Sequence, residues 1–147
     1  MENVKFYKIN EPFGEFSNFA PFGFFDDSGL YWPTSEHYFQ AQKFESKELR
    51  EKIRLLSNPK AAAIEGRNRM NPLRENWEQI KVDVMSYAVE QKFAQNLILK
   101  NLLLSTENLE IIEHTINDKY WGDGGDGSGK NMLGKILMDV RDKLCRD

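Results

Sequence analysis

The stretch Trp32–Phe44, WPTSEHYFQAQKF, decides how the rest of the chain is read. Pro33-Thr34-Ser35 has the form of a helix start. Thr34 is a good N-cap residue, which places Glu36 in the first helical turn. On a helix beginning at Thr34, residues three and four apart share a face. Glu36, Gln40 and Lys43 therefore align with Phe39 beside them, whereas Ala41 and Phe44 fall on another face with His37 above them. The spacing predicts an apolar side and a compact polar stripe able to line a cleft. Taken alone, Glu36 has an ordinary explanation, because the helix dipole favours an acid in the first turn. His37 reads equally well as a hydrogen-bonded core histidine, and Lys43 as a solvated cation.

Upstream, VKFYKI (Val4–Ile9) alternates as a strand does. The phenylalanine-rich run Glu11–Phe25 is broken by Pro12, Gly14, Pro21 and Gly23 and reads as irregular with short strands. Gly23–Trp32 has the form of a hairpin turning at Asp26-Asp27-Ser28-Gly29. Downstream, SKELREKIRLL carries Leu49, Ile53 and Leu56 at helical spacing. Asn58-Pro59 opens a further helix that Gly66 is placed to stop. A long helix is expected from near Trp77, with Ile80, Val84, Tyr87 and Gln91 on one face. A break near Gln95-Asn96 separates it from LILKNLLL. LEIIEHT (Leu109–Thr115) reads as a strand, and Met132, Leu133, Ile136, Leu137, Val140 and Leu144 form the stripe of a last helix. This order predicts an α+β fold, a single compact and mostly helical domain over residues 1–147 with a small β component, and not a doubly wound sheet.

The 147 residues are 40% apolar, enough for a full core, and carry a net charge of −3. A protein held on nucleic acid by phosphate contacts is normally basic, so the charge argues mildly against duplex binding. No secretory h-region and no run long enough to span a bilayer is expected. The single cysteine, Cys145, precludes an internal disulfide and fits the cytoplasm. Two distant histidines and one cysteine do not make a zinc site.

The loop Asn117–Asn131, NDKYWGDGGDGSGKN, nearly matches the phosphate loop GxxxxGK[ST]. Asn131 lacks the hydroxyl that would bind magnesium, and no βαβ unit surrounds it. Asp118, Asp123 and Asp126 fail as a calcium loop, since Gly125 takes a ligand position and the closing glutamate is missing. What remains is close backbone approach to a ligand and a helix N-terminus able to hold an anion. Tyr120 and Trp121 are costly to leave in water without something to cover them. Elsewhere, Arg67 and Arg69 of GRNR could grip a phosphate or could simply pair with a helix C-terminus. Trp77 could stack on a heterocycle or pack in the core.

FSNF, YWPTSEHYFQAQKF, GRNR, NW, NDKYWGDGG and GKNMLG occur in that order, and together they closely resemble the NADAR superfamily, in particular its YbiA-like N-glycosidase branch. The resemblance runs from about Phe16 to Leu144. It implies hydrolysis of a bond between nitrogen and the anomeric carbon of ribose. In the YbiA-like branch the implied substrates are phosphoribosylated aminopyrimidine intermediates of riboflavin biosynthesis, cleaved to base and ribose 5-phosphate. Other branches remove ADP-ribose from guanine in nucleic acid. A non-catalytic ADP-ribose or nucleotide-binding module is the third possibility.

By motif match, Glu36 is the expected catalytic carboxylate, able to stabilise an oxocarbenium-like sugar and take a proton from water. Asp118 and Asp123 match the acids of the second motif, as groups that orient ribose hydroxyls or assist the leaving base. Trp77 and Trp121 are expected to hold the base, and Lys43, Arg67 and Lys130 the phosphate. Asn18, Tyr120 and Gly122 complete the substrate-binding set. No metal or other cofactor is expected, and the partner is a small phosphoribosyl molecule. Nucleic acid enters only under the second reading, and no membrane is expected.

Overall fold

The computed structural model describes residues 2–146. The elements run β1 (Asn3–Phe6), a 3₁₀ turn (Gly14–Phe16), β2 (Phe24–Phe25), β3 (Tyr31–Trp32), α1 (Ser35–Ala41), α2 (Lys47–Arg54), α3 (Pro59–Gly66), α4 (Trp77–Gln95), α5 (Leu97–Ser105), β4 (Glu110–Glu113) and α6 (Met132–Cys145). Six helices and two two-stranded sheets make this an α+β protein dominated by helix. The chain forms two compact units: Pro21–Lys92, and Met1–Ala20 together with Phe93–Asp147.

The first unit is built around α1. In the β2–β3 hairpin, one carboxylate organises the whole turn. Asp26 Oδ1 accepts from the Ser28 and Leu30 amides at 2.9 and 3.1 Å, and Oδ2 accepts from Trp32 Nε1 at 2.8 Å. Burial opposes the ionised form of Asp26, yet these donors outweigh it and hold its carboxyl below the usual range. Gly29, at φ 88°, supplies the left-handed residue that closes the turn. Trp32 then enters the core with Phe24, Ala41, Phe44, Ile53, Ala62 and Ala88.

Both expected caps form. Thr34 Oγ1 accepts from the His37 amide at 3.0 Å, and Asn58 Oδ1 from the Ala61 amide at 2.8 Å. His37 is buried, with Nε2 3.0 Å from Leu56 O and Nδ1 2.7 Å from Thr34 Oγ1. A carbonyl only accepts, so Nε2 carries the proton and Nδ1 accepts from the threonine hydroxyl. Burial pushes its pKa down, against the pull of the Leu56 carbonyl. His37 is thus a core residue that ties the start of α1 to the end of α2.

The second unit pairs β1 with β4 in parallel, Val4 opposite Ile111, and packs α6 on β4 and on α5. Leu133, Ile136, Leu137, Val140 and Leu144 of α6 are buried, as their spacing predicts. The irregular phenylalanines contribute through Phe16, whose ring lies 5.8 Å from that of Phe6 and 5.6 Å from that of Phe93.

Along α4 the structure departs from the periodic reading. The deeply buried residues are Trp77, Met85, Ala88, Val89, Lys92 and Phe93, and Ile80, Val84, Tyr87 and Gln91 are only half-buried beside them. The four residues named from the sequence flank the deeply buried face, and Tyr87 packs on the core from there. Ala88 is fully buried in the core cluster, and so small a side chain weighs little in a hydrophobicity pattern.

Candidate active site

Three groups of α1 and the turn after it, Glu36, Gln40 and Lys43, lie where the sequence placed its polar stripe. Glu36 is 7% exposed and Gln40 3%. Gln40 Nε2 donates to Glu36 Oε2 at 2.7 Å. The helix ends at Ala41, so Lys43 lies past it on a tightened turn, its amide bonding Gln40 O at 3.3 Å. The ammonium of Lys43 is nevertheless coupled to Glu36, Arg67 and Arg69. Its pKa is pulled down to about 8, by burial first, with Glu36 opposing and the two arginines reinforcing.

One buried carboxylate and three cations therefore share a neighbourhood. Arg67 and Arg69 are exposed, and among the described residues neither guanidinium makes an ion pair or a side-chain hydrogen bond. Unspent cations beside a half-buried lysine are an arrangement that an anion would complete. Arg74, by contrast, is fully committed. Its amide bonds Lys43 O at 2.9 Å, Nη1 bonds Gln42 O at 3.3 Å, and Nε bonds Asn76 Oδ1 at 3.0 Å. It ties the segment after α3 to the end of α1. Trp77 is 5% exposed and packs edge-on against Phe39, with centroids 5.1 Å apart, while Lys43 Nζ stands 5.8 Å from the Phe39 ring. So the structure brings Glu36, Lys43, Arg67 and Trp77 together in one unit.

The remaining predicted residues, Asn18, Asp118, Tyr120, Trp121, Gly122, Asp123 and Lys130, lie in the other unit. There the glycine-rich loop is tightly built. Asp118 Oδ1 accepts from the Tyr120 and Trp121 amides at 2.9 and 2.8 Å. Asp123 Oδ1 accepts from the Thr115 and Gly125 amides at 3.1 and 2.8 Å, and Oδ2 lies 2.7 Å from His114 Nδ1. Burial would raise the Asp123 pKa, but these bonds prevail and lower it. Gly124, Gly125 and Gly127 take positive φ. The Tyr120 and Trp121 rings meet edge-on at 4.9 Å, and Lys130 Nζ lies 5.5 Å from the Tyr120 ring. Asn18 is buried, at 9% exposure.

One expectation about this loop changes. The amides of Asn131, Met132 and Leu133 at the start of α6 bond the carbonyls of Gly122, Tyr120 and Trp121, so the loop itself occupies the helix N-terminus that was read as an anion site. Asn131 also has its own work where a phosphate loop would carry a hydroxyl. It sits at φ 51°, accepts from the Glu113 amide at 3.0 Å and donates to Ile111 O at 2.9 Å, pinning the loop to β4. Sequence reasoning missed His114, which carried no local signal. Gln40, by contrast, stands on the polar stripe that the spacing aligned with Glu36, and it bonds that carboxylate.

A separate cavity of about 850 Å³ opens on the opposite side of α1, lined by Trp32, Tyr38, Gln42, Arg50 and Tyr87 among others, and it contains none of the predicted site residues.

The NADAR domain model matches residues 5–145. N-glycosidase YbiA of Escherichia coli (strain K12) is 52% identical over 142 residues, covering 97% of this chain and 88% of that protein. N-glycosidase Npun_R5314 of Nostoc punctiforme is 38% identical, covering 96% and 92%. Riboflavin biosynthesis protein VVA0006 of Vibrio vulnificus is 43% identical, over 96% of this chain and 38% of that protein. The NMR structure of E. coli YbiA superimposes with a TM-score of 0.91 at 50% identity, covering 99% of this chain and 87% of that one. The chain belongs to the NADAR family. It is an N-glycosidase, a hydrolase of N-glycosyl bonds. Among the described residues no helix is long and apolar enough to cross a membrane.

Proposed function

We propose that this N-glycosidase acts in the cytoplasm on phosphoribosylated aminopyrimidine intermediates of riboflavin biosynthesis, releasing the base and ribose 5-phosphate, with residues 1–147 working as one catalytic domain. The observation that carries the reading is the Glu36 carboxylate, buried and bonded to Gln40, together with the half-buried Lys43, whose ammonium feels the charges of Glu36, Arg67 and Arg69. A carboxylate next to an anion-binding cluster suits a sugar that carries a phosphate. The names of two relatives, riboflavin biosynthesis proteins of V. vulnificus and Zea mays, support the pathway.

In this mechanism the bond from the anomeric carbon to nitrogen breaks with its electron pair going to the base. Positive charge builds on the sugar ring, and Glu36 stabilises it electrostatically. Glu36 takes one proton from the attacking water, whose oxygen bonds the anomeric carbon, and the leaving nitrogen gains a proton in turn. Lys43, Arg67 and Arg69 hold the phosphate. Asp118 and Asp123 already bond the loop, so their part is to hold its shape around Tyr120 and Trp121. Asn18, Trp77, Gly122 and Lys130 enter through their motifs as substrate-binding positions.

The test is one panel. Purified protein is offered phosphoribosylamino-pyrimidines, ADP-ribosylated guanine DNA and free NAD, and released base is followed by chromatography. Turnover of the first class alone is expected. Turnover of the modified DNA alone replaces this reading with an ADP-ribosyl-guanine hydrolase.

A further inference from the structure

We propose that Gln40 is the positioning residue for the Glu36 carboxylate, and that Gly66 is glycine because α3 must leave room for the Gln40 side chain. The inference rests on Glu36 being the catalytic carboxylate. Gln40 is 3% exposed, and its Nε2 donates to Glu36 Oε2 at 2.7 Å. Its other polar atom, Oε1, is buried and has no hydrogen-bond partner. A buried unsatisfied carbonyl is destabilising, and an apolar side chain of the same length would avoid that cost. Stability alone therefore argues against glutamine here. Its grip on Glu36 is what the amide adds.

Gly66 shows the same preference for geometry over local stability. It is the last residue of α3 and is not among the glycines at positive φ, so its backbone does not demand glycine. Helix propensity favours alanine at such a position. A Cβ built at Gly66, however, would overlap Oε1 and Cδ of Gln40 and crowd its Cβ. The sequence suggested that Gly66 stops the helix, yet the C-cap is Arg67 in an ordinary right-handed conformation. Gly66 instead allows close approach between α3 and α1, and that approach holds the Gln40 amide on Glu36.

A donor on the ionised carboxylate favours the charged form. The charged groups coupled through this neighbourhood are Lys43, after α1, and Arg67 and Arg69, after α3. All keep their charge in acid. Glu65 on α3 is paired with Lys52 of α2 at 2.7 Å, and on α2 Arg50 bonds Phe44 O and Arg54 bonds Glu51. A shift in the titration of Glu36 on replacing Gln40 thus reports the lost donor.

The experiment is a carbon-13 NMR titration of the Glu36 side-chain carboxyl in the free protein, run on the parent, Gln40→Met and Gly66→Ala, beside pH profiles of kcat and KM. Gln40→Met keeps the side-chain length and removes the unpaired oxygen, so it is expected to fold. Its Glu36 midpoint should rise by about one pH unit. The acid limb of kcat should move with it, and kcat should fall about 10- to 100-fold while KM stays within a few-fold. Gly66→Ala should move the same midpoint upward without touching Glu36. An unmoved Glu36 midpoint in a folded Gln40→Met protein overturns the proposal. A midpoint that moves while kcat stays parental confirms the positioning and removes Glu36 from the chemistry, so failure of the functional reading shows separately.

Discussion

His114 Nδ1 and Asp123 Oδ2 lie 2.7 Å apart, joining the end of β4 to the far side of the glycine-rich loop. With the Thr115 and Gly125 amides on its other oxygen, Asp123 fastens the loop at three points. Asp123→Asn should cost about 1.5–3 kcal/mol of stability at neutral pH, the usual scale for hydrogen bonds to a charged group. The sign with pH follows from its lowered pKa. The contribution is complete above the unfolded value of about 3.9 and disappears as pH falls through the lower folded value. Denaturant melts should therefore show parent and variant far apart at pH 7 and converging in the acid range below that value.

Glu36→Gln should leave the fold intact, because an amide oxygen still accepts from Gln40. It removes the negative charge and the proton acceptor. Turnover should fall about 10²- to 10⁴-fold, the range for losing a general base. Circular dichroism and a melt confirm the fold, and released base measures the rate. Activity within a few-fold of the parent would sink the assignment.

Much of the candidate site was legible because it is local. Thr34, Glu36, Gln40 and Lys43 are spaced by helical geometry, and a cap plus a period of 3.6 is enough to align them. The hairpin and the caps at Thr34 and Asn58 were equally local, and all three form. What sequence could not show is long-range or small. The parallel pairing of Val4 with Ile111 spans most of the chain. His114 meets Asp123 only once the loop folds. Gly66 and Ala88 matter through the side chain they lack or barely have, which a hydrophobicity pattern scores as nothing.

Lys43 titrates about where assays are run. With its pKa held near 8, it is mostly charged at pH 7 and neutral by pH 9. If it binds the phosphate, KM for a phosphorylated substrate should rise as pH climbs through 8. Lys43→Arg, charged throughout, should flatten that limb. The stability effect has the opposite trend. The unfolded chain holds this proton up to about 10.4, so the group's contribution improves as pH rises from 8 toward that value. A KM that is flat from pH 7 to 9 in the parent would take Lys43 out of the phosphate site.

Metal removal gives a clean negative expectation. Among the described residues no group of three or more His, Cys, Asp or Glu is placed to hold an ion. Asp118 and Asp123 are bonded to loop amides instead. Full activity should survive exhaustive chelation with EDTA. Activity that is lost and then restored by magnesium or calcium would require an ion at the loop and a rewritten mechanism.

Salt separates a phosphate pocket from a nucleic-acid track. Each phosphate neutralised on duplex DNA releases counterions, so a protein making 6–10 such contacts loses about 10³–10⁵ in affinity between 50 and 200 mM salt. Here the net charge is −3, and the cations whose charges act on Lys43 are Arg67 and Arg69. Three cations on one short helix end and the turn after α3 suffice for one terminal phosphate. A backbone track needs a row of them. KM for a phosphoribosyl substrate should therefore change less than about tenfold over that salt range. Excess duplex or single-stranded DNA should not inhibit. A steep salt slope together with inhibition by unmodified DNA would show that the cations beside Glu36 follow a nucleic-acid backbone. ADP-ribosylated guanine would then replace the free phosphoribosyl compound as the substrate.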